Sequence, residues 1–257
     1  MFKLIEKGVI RLCAEIGNMF LLLLKSLVWI FRPPFQFRLI ANQMEEFGIR
    51  SLPVVLLTGA FTGMVFALQS YYGFHRFGAE TLIGPAVSLS LCRELGPVLT
   101  ALMVAGRTGS AIAAEIGTMK VTEQIDALET LATNPIKYLV VPRILSGIIM
   151  LPVLTVFAVG IGMLGGYVVS VHMMGANPTL YVKSSFDILY LEDITNGLVK
   201  AAFFGLVIAL VGCFYGFYAK GGAKGVGQGT TKAVVVACMS ILILDFFLSK
   251  ILWGISV

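Results

Sequence analysis

The chain has 257 residues, 58% of them hydrophobic and only 13% charged, and its mean hydropathy is +0.91. A soluble domain of this length carries roughly 25% charged residues, so the composition is that of a polytopic, all-α membrane protein. The formal net charge of +5 could point to nucleic acid, but the basic residues lie beside apolar stretches, where attraction to anionic lipid accounts for them better. Cys13, Cys92, Cys213 and Cys238 have neither CxxC spacing nor histidine partners, which argues against both a disulfide framework and a zinc site. No metal is expected.

Residues 1–47 form a separate N-terminal segment. Ile5, Val9, Leu12, Ile16, Met19 and Leu23 recur at steps of three and four, with Lys3, Lys7, Arg11, Glu15 and Asn18 on another face. That pattern predicts a helix lying in the membrane interface with its basic side toward headgroups. Its most apolar part, residues 19–31, is interrupted by Lys25 and stopped by Arg32-Pro33-Pro34. This is shorter than the roughly 20 residues a span needs, and reads as interfacial or re-entrant. No apolar h-region with a small-residue cleavage site precedes it, so no removable signal peptide is expected.

Residues 48–257 read as a membrane domain of five spans, near 52–72, 86–118, 144–172, 197–218 and 233–255. In the first, Gly59, Gly63 and Ala67 form a small-residue seam that admits another helix backbone. The second is longer than a perpendicular crossing and holds Pro97, which predicts a tilt or kink. Beyond the proline it carries two adjacent ladders, Ala105, Gly109, Ala113 and Gly117 beside Gly106, Ser110, Ala114 and Thr118. They predict close packing against a neighbouring helix or a second copy of the chain.

Residues 121–132 are unlike the spans. Val121, Ile125, Leu128 and Ala132 make one apolar stripe, while Glu123, Gln124, Asp126 and Glu129 face away, and Asn134-Pro135 ends the pattern. So short an acidic helix cannot cross a bilayer and is expected at its surface. Residues 173–196 read as a polar connection, and the glycine-rich stretch 220–232 as a flexible basic loop. The latter lacks the spacing and the preceding strand of a phosphate loop.

Lysine and arginine number seven before Ser51, three from Met119 to Arg143 and three from Ala219 to Lys232, against one in each remaining loop. That asymmetry puts the N-terminus, the acidic helix and the glycine-rich loop in the cytoplasm, and five spans leave the C-terminus outside.

Catalytic signatures such as HExxH, GxSxG or paired cysteines are absent, so no enzyme activity is expected of this chain. What remains are charges inside spans. Lys200, Lys250 and Glu115 are near enough to helix ends to snorkel, whereas Asp245 is too deep and must face the bundle, neutral or paired. Arg93 and Glu94 lie just before Gly96-Pro97, where freed backbone groups are tolerated if the helices line a cavity. An arginine in an apolar cavity suits a phosphate headgroup; an internal ion pair would give the same pattern.

Arg93-Glu94-Leu95-Gly96-Pro97-Val98, Ala105-Gly106-Arg107, Gly109-Ser110, Ala114-Glu115-Ile116-Gly117, Met119, Thr122-Glu123-Gln124 and Leu244-Asp245-Phe246 resemble the MlaE/YrbE permeases. These are membrane subunits of the maintenance-of-lipid-asymmetry ABC transporters of Gram-negative bacteria. The resemblance implies a homodimer in the bacterial inner membrane that works with a cytoplasmic ATPase, a STAS-domain protein and a periplasmic MCE-domain lipid-binding protein. It implies phospholipid as the substrate, with ATP and magnesium bound by the ATPase and no cofactor in this chain. The acidic helix becomes the coupling helix on the ATPase. Leu68, Tyr71, Tyr72, Arg93 and Glu94 become candidate walls of a lipid cavity between the two copies. A scaffold that only anchors MCE and ATPase proteins, or a permease for another hydrophobic substrate, is the alternative.

Overall fold

A computed structural model describes residues 2–30, 32–33 and 36–254; for residues 2–9, 11 and 12 it describes the backbone alone. The amphipathic pattern of residues 3–9, 11 and 12, the Pro34 stop and the last residue of the fifth span therefore lie outside the described side chains. Every regular element among the described residues is helical. The α-helices are α1 (Phe2–Ile30), α2 (Phe37–Phe47), α3 (Leu52–His75), α4 (Ile83–Ser90), α5 (Gly96–Val104), α6 (Ser110–Val121), α7 (Gln124–Thr130), α8 (Val141–Tyr167), α9 (Pro178–Asp187), α10 (Leu191–Phe217) and α11 (Gly222–Gly254). Four π-helical segments, Leu91–Leu95, Ala105–Gly109, Ile136–Val140 and Val168–Met173, interrupt or extend them.

Helix α8 is the centre of the bundle, packed between α3 and α10. Small residues allow this. A Cβ on Gly63 would overlap the Gly162 carbonyl, and one on Gly205 would overlap that of Gly147, so the backbones touch where larger side chains would hold them apart. Gly59 meets Ala158, and Gly109 meets Gly212, in the same way. Of the two ladders, Ala105, Gly109, Ala113 and Gly117 are buried against α10 and the start of α11, whereas Gly106 and Thr118 are exposed and Ser110 and Ala114 half-buried. The second ladder is not packed within this chain.

Among the described residues, six stretches are long and apolar enough to cross a membrane: Cys13–Ile30, Phe37–His75, Glu80–Val121, Ile136–Met173, Leu191–Phe217 and Gly222–Gly254. The first of them lies across the others. Glu15 accepts a hydrogen bond from the Tyr215 hydroxyl at 3.2 Å, Asn18 and Lys25 share a groove with Lys120, Asn134 and Tyr218, and Trp29 meets Lys137. All these partners sit at the end of the bundle where α6 and α10 finish and α8 and α11 begin. Helix α1 therefore packs against that end of the bundle.

Four local expectations change. The glycine-rich stretch is helical from Gly222, not a loop; Gly225 lies against the Lys220 backbone and Gly229 against the Tyr215 carbonyl, so tertiary contact overrides weak helix propensity. The acidic helix is shorter than 121–132: Glu123 adopts a left-handed φ of 59° that turns the chain out of α6, and Ala132, at φ 56°, is beyond the last turn. Asn134 does not end that helix but starts the next, its side-chain oxygen accepting from the Ile136 and Lys137 amides at 3.0 and 3.3 Å. The connection 173–196 contains α9, capped by Asn177, which accepts from Thr179 and Leu180.

Candidate functional site

The second span carries several of the candidate side chains, and its two π segments aim them. Each π turn adds a residue to the helical repeat and rotates the helix beyond it. The turn Leu91–Leu95 holds Arg93 and Glu94, and Ala105–Gly109 holds Arg107.

At the end of the bundle away from α7, Arg93 and Glu94 are ion-paired, but not to one another. Arg93 reaches Asp193 at the start of α10 through Nε (2.8 Å) and one terminal nitrogen (2.7 Å), and its guanidinium lies 4.0 Å from the centroid of the Trp253 ring. Asp193, 1% exposed, uses its other oxygen to accept from the Tyr190 amide at 3.0 Å. Arg93 keeps 35% of its side chain exposed.

Glu94 belongs to a second cluster around Lys200. That lysine is 0% exposed, and its Nζ donates to Glu94 (2.6 Å), Ser249 (2.7 Å) and Asp245 (3.0 Å). It also approaches the Arg93 carbonyl at 3.3 Å, whose i+4 donor is missing because residue 97 is proline. Lys200 therefore does not snorkel. It lies nine residues into α10, roughly 14 Å along the helix, and ties α10 to the π turn and to α11. Asp245 is paired inside the bundle. The depth of Asp245 in its span signals it in the sequence, but Asp193, Ser249 and Trp253 carry no motif of their own.

Glu115 is likewise paired rather than snorkelling. Its Oε2 is 2.7 Å from Arg143, which is 3% exposed and donates to the Leu139 carbonyl at 2.7 Å. This bond fastens α6 to α8. Arg107 fastens the same span to the α2–α3 joint, donating to the Glu46 carbonyl (3.1 Å) and Ser51 hydroxyl (3.0 Å).

At the other end, Ile125 is buried while Glu123, Gln124, Asp126 and Glu129 are all exposed, and Lys120 pins Asp126 at 2.7 Å. The four acidic-face residues thus share one solvent-facing surface. The five proposed cavity residues are less unified. Leu68 and Tyr71 are half-buried, Tyr71 stacking on His75 at 5.0 Å, while Tyr72 is exposed. An apolar cavity of about 320 Å³ between α4, the last turns of α8 and α9 is instead lined by Val87, Met163, Leu164, Tyr167, Tyr181 and Phe186, among others, and includes none of the five.

Residues 40–251 match the family described as Permease MlaE. The chain belongs to the MlaE permease family. It is 49% identical over 251 residues to a probable ABC transporter permease protein of Rickettsia bellii, covering 98% of this chain and 97% of the relative. A probable ABC transporter permease protein of Synechocystis is 49% identical over 212 residues, 82% and 81% of the two chains. The intermembrane phospholipid transport system permease protein MlaE of Haemophilus influenzae is 42% identical over 219 residues, 85% and 84% of the two chains. The chain is thus a multi-pass membrane permease, and most of the conspicuous residues of its second span are engaged within its own bundle.

Proposed function

We propose that this permease is the membrane subunit of an ABC transporter that moves phospholipid between the bacterial inner membrane and the periplasm and so maintains outer-membrane lipid asymmetry. It acts as a homodimer, N-termini cytoplasmic and C-termini periplasmic, with a cytoplasmic ATPase that binds ATP and magnesium, a STAS-domain protein and a periplasmic MCE-domain protein. The observation that carries this reading is the exposed acidic face of α7, held at the end of α6 in a chain 42% identical to the Haemophilus phospholipid transport permease.

In this mechanism the ATPase docks on Glu123, Gln124, Asp126 and Glu129. Its closure moves α7, and the Lys120 to Asp126 contact passes the movement to α6. The Glu115 to Arg143 pair and the Gly109 to Gly212 contact carry it to α8 and α10. The π turn at Leu91–Leu95 then shifts Arg93 and Glu94 against Asp193 and Lys200, changing the cavity that Leu68, Tyr71 and Tyr72 line with the second copy. Asp193 engages two nitrogens of Arg93, which leaves the third for a lipid phosphate. The unpacked ladder through Gly106 suits contact between copies.

The test is transfer of fluorescent phospholipid by the purified complex. A photocrosslinker in place of Tyr71 should label co-purified phospholipid, to a different extent with and without ATP. An active complex that yields no labelled lipid would overturn the cavity assignment.

A further inference from the structure

We propose that Trp29, Arg32 and Lys137 form a second lipid site, one that holds the phosphodiester headgroup of an anionic phospholipid where α1, α2 and α8 meet. The site is at the α7 end of the bundle, opposite Arg93, and the inference stands independently of the transport reading.

The Arg32 guanidinium carbon and the Lys137 ammonium lie 5.2 and 5.6 Å from the centroid of the same indole ring, Trp29. Lys137 also donates to the Pro33 carbonyl at 3.0 Å, which brings the residue next to Arg32 against the start of α8. Two cations are thus gathered around one aromatic ring. Among the described residues Arg50, Arg93, Arg107, Lys120, Arg143 and Lys200 are each within 4.0 Å of a carboxylate, while Lys25, Arg38, Arg76, Lys183, Lys220, Lys224, Lys232 and Lys250 are not and stand apart from any aromatic ring pairing of this kind. Among the described residues, no carboxylate stands that close to Arg32 or Lys137. Holding like charges together without a counter-charge is unfavourable unless an anion joins them.

The surroundings favour a lipid over a free anion. Trp29 is near the end of a helix that lies along the face of the bundle, the position at which indole rings sit among headgroups. Ile40, Val141 and Leu145 wall a notch of about 30 Å³ beside the ring, an apolar neighbour for the glycerol backbone and first methylenes. Arginine offers a phosphate two parallel donors, and lysine supplies a point charge. Occupied, the site would anchor the α1–α2 joint to α8.

The chain has two tryptophans, Trp29 and Trp253. In the Trp253→Phe background, fluorescence therefore reports Trp29 alone. In nanodiscs, phosphatidylglycerol brominated on its acyl chains should quench Trp29 with roughly fivefold preference over brominated phosphatidylcholine. Arg32→Gln with Lys137→Gln should abolish the preference. Lys220→Gln with Lys224→Gln, which removes two charges at the same end but away from the ring, should keep it. Equal quenching by both lipids, or loss of preference in both double variants, would overturn the site in favour of bulk surface charge. Full competition by millimolar glycerol phosphate would overturn the lipid assignment in favour of a free-phosphate site. Native mass spectrometry of the otherwise unaltered chain, with and without the Arg32 and Lys137 changes, reads phosphatidylglycerol retention without the Trp253 substitution. Equal retention would also count against the proposal.

Discussion

Replacing Lys200 by methionine should destabilise the bundle more than any other single charge removal in it. Lys200 is fully buried, and its Nζ lies 2.6 and 3.0 Å from oxygens of Glu94 and Asp245. Removing it leaves two carboxylates roughly 5 Å apart, which repel by about 3 kcal/mol at an effective dielectric near 20. Breaking a buried pair from one side costs about 3–5 kcal/mol. Because Glu94 is 42% exposed, water screens part of this, and the lower end applies. At about 2–4 °C per kcal/mol for a chain of this size, Lys200→Met should lower the midpoint of thermal unfolding by roughly 6–12 °C. The assay is temperature-dependent size exclusion in detergent, repeated in nanodiscs. The decisive variant adds Glu94→Gln and Asp245→Asn. With no charge left to repel, it should regain most of the loss. A Lys200→Met chain as stable as the parent, or a triple variant no better than the single, would refute the charge argument and leave packing as the cause.

Three further outcomes separate the roles of the second span and its neighbours. Gly63→Val should cost about 1–3 kcal/mol by forcing α3 off α8, whereas Gly106→Val, at a position with nothing within 4 Å, should leave thermal stability unchanged and weaken self-association measured by crosslinking. Glu115→Ala should be more damaging than Arg143→Met, since the first strands a buried cation and the second leaves an exposed carboxylate; equal melting temperatures would contradict the pairing. Glu123→Lys with Asp126→Lys should abolish co-purification of the ATPase while the isolated permease melts normally, and retained co-purification would count against docking through α7.

Much of this architecture is legible in the sequence because membranes impose simple rules. Apolar length locates the spans, and the step-of-four seam of the first span locates the contacts Gly59 to Ala158 and Gly63 to Gly162. Partner choice stays hidden. Arg93 and Glu94 are neighbours in sequence, and a pair between them is the economical reading. The π turn instead directs one to Asp193 and the other to Lys200, each about a hundred residues away. Snorkelling is a sound expectation for Lys200 on its distance from the helix end, but distance along a helix says nothing about which face it occupies. The glycine-rich start of α11 misleads for a related reason. Propensity alone argues for a loop there, and only the approach of the α10 backbone shows why small residues are needed in a helix.

The arrangement of charges bears on how such a bundle could move. A contact made only of apolar packing can slide in small increments, whereas a buried ion pair must either hold or break at a cost of several kcal/mol. The second span is fastened by ion pairs at three heights: the half-buried Arg107 to Glu46, and Glu115 to Arg143 and the clusters at Arg93 and Glu94, in each of which one partner is buried. The π turns that carry Arg93, Glu94 and Arg107, and the glycine contacts between these levels, adjust cheaply. A push at α7 would therefore be carried by the fastened levels as units and absorbed between them. On this argument the π turns at Leu91–Leu95 and Ala105–Gly109 are the hinges, and the charged side chains they carry are the grips.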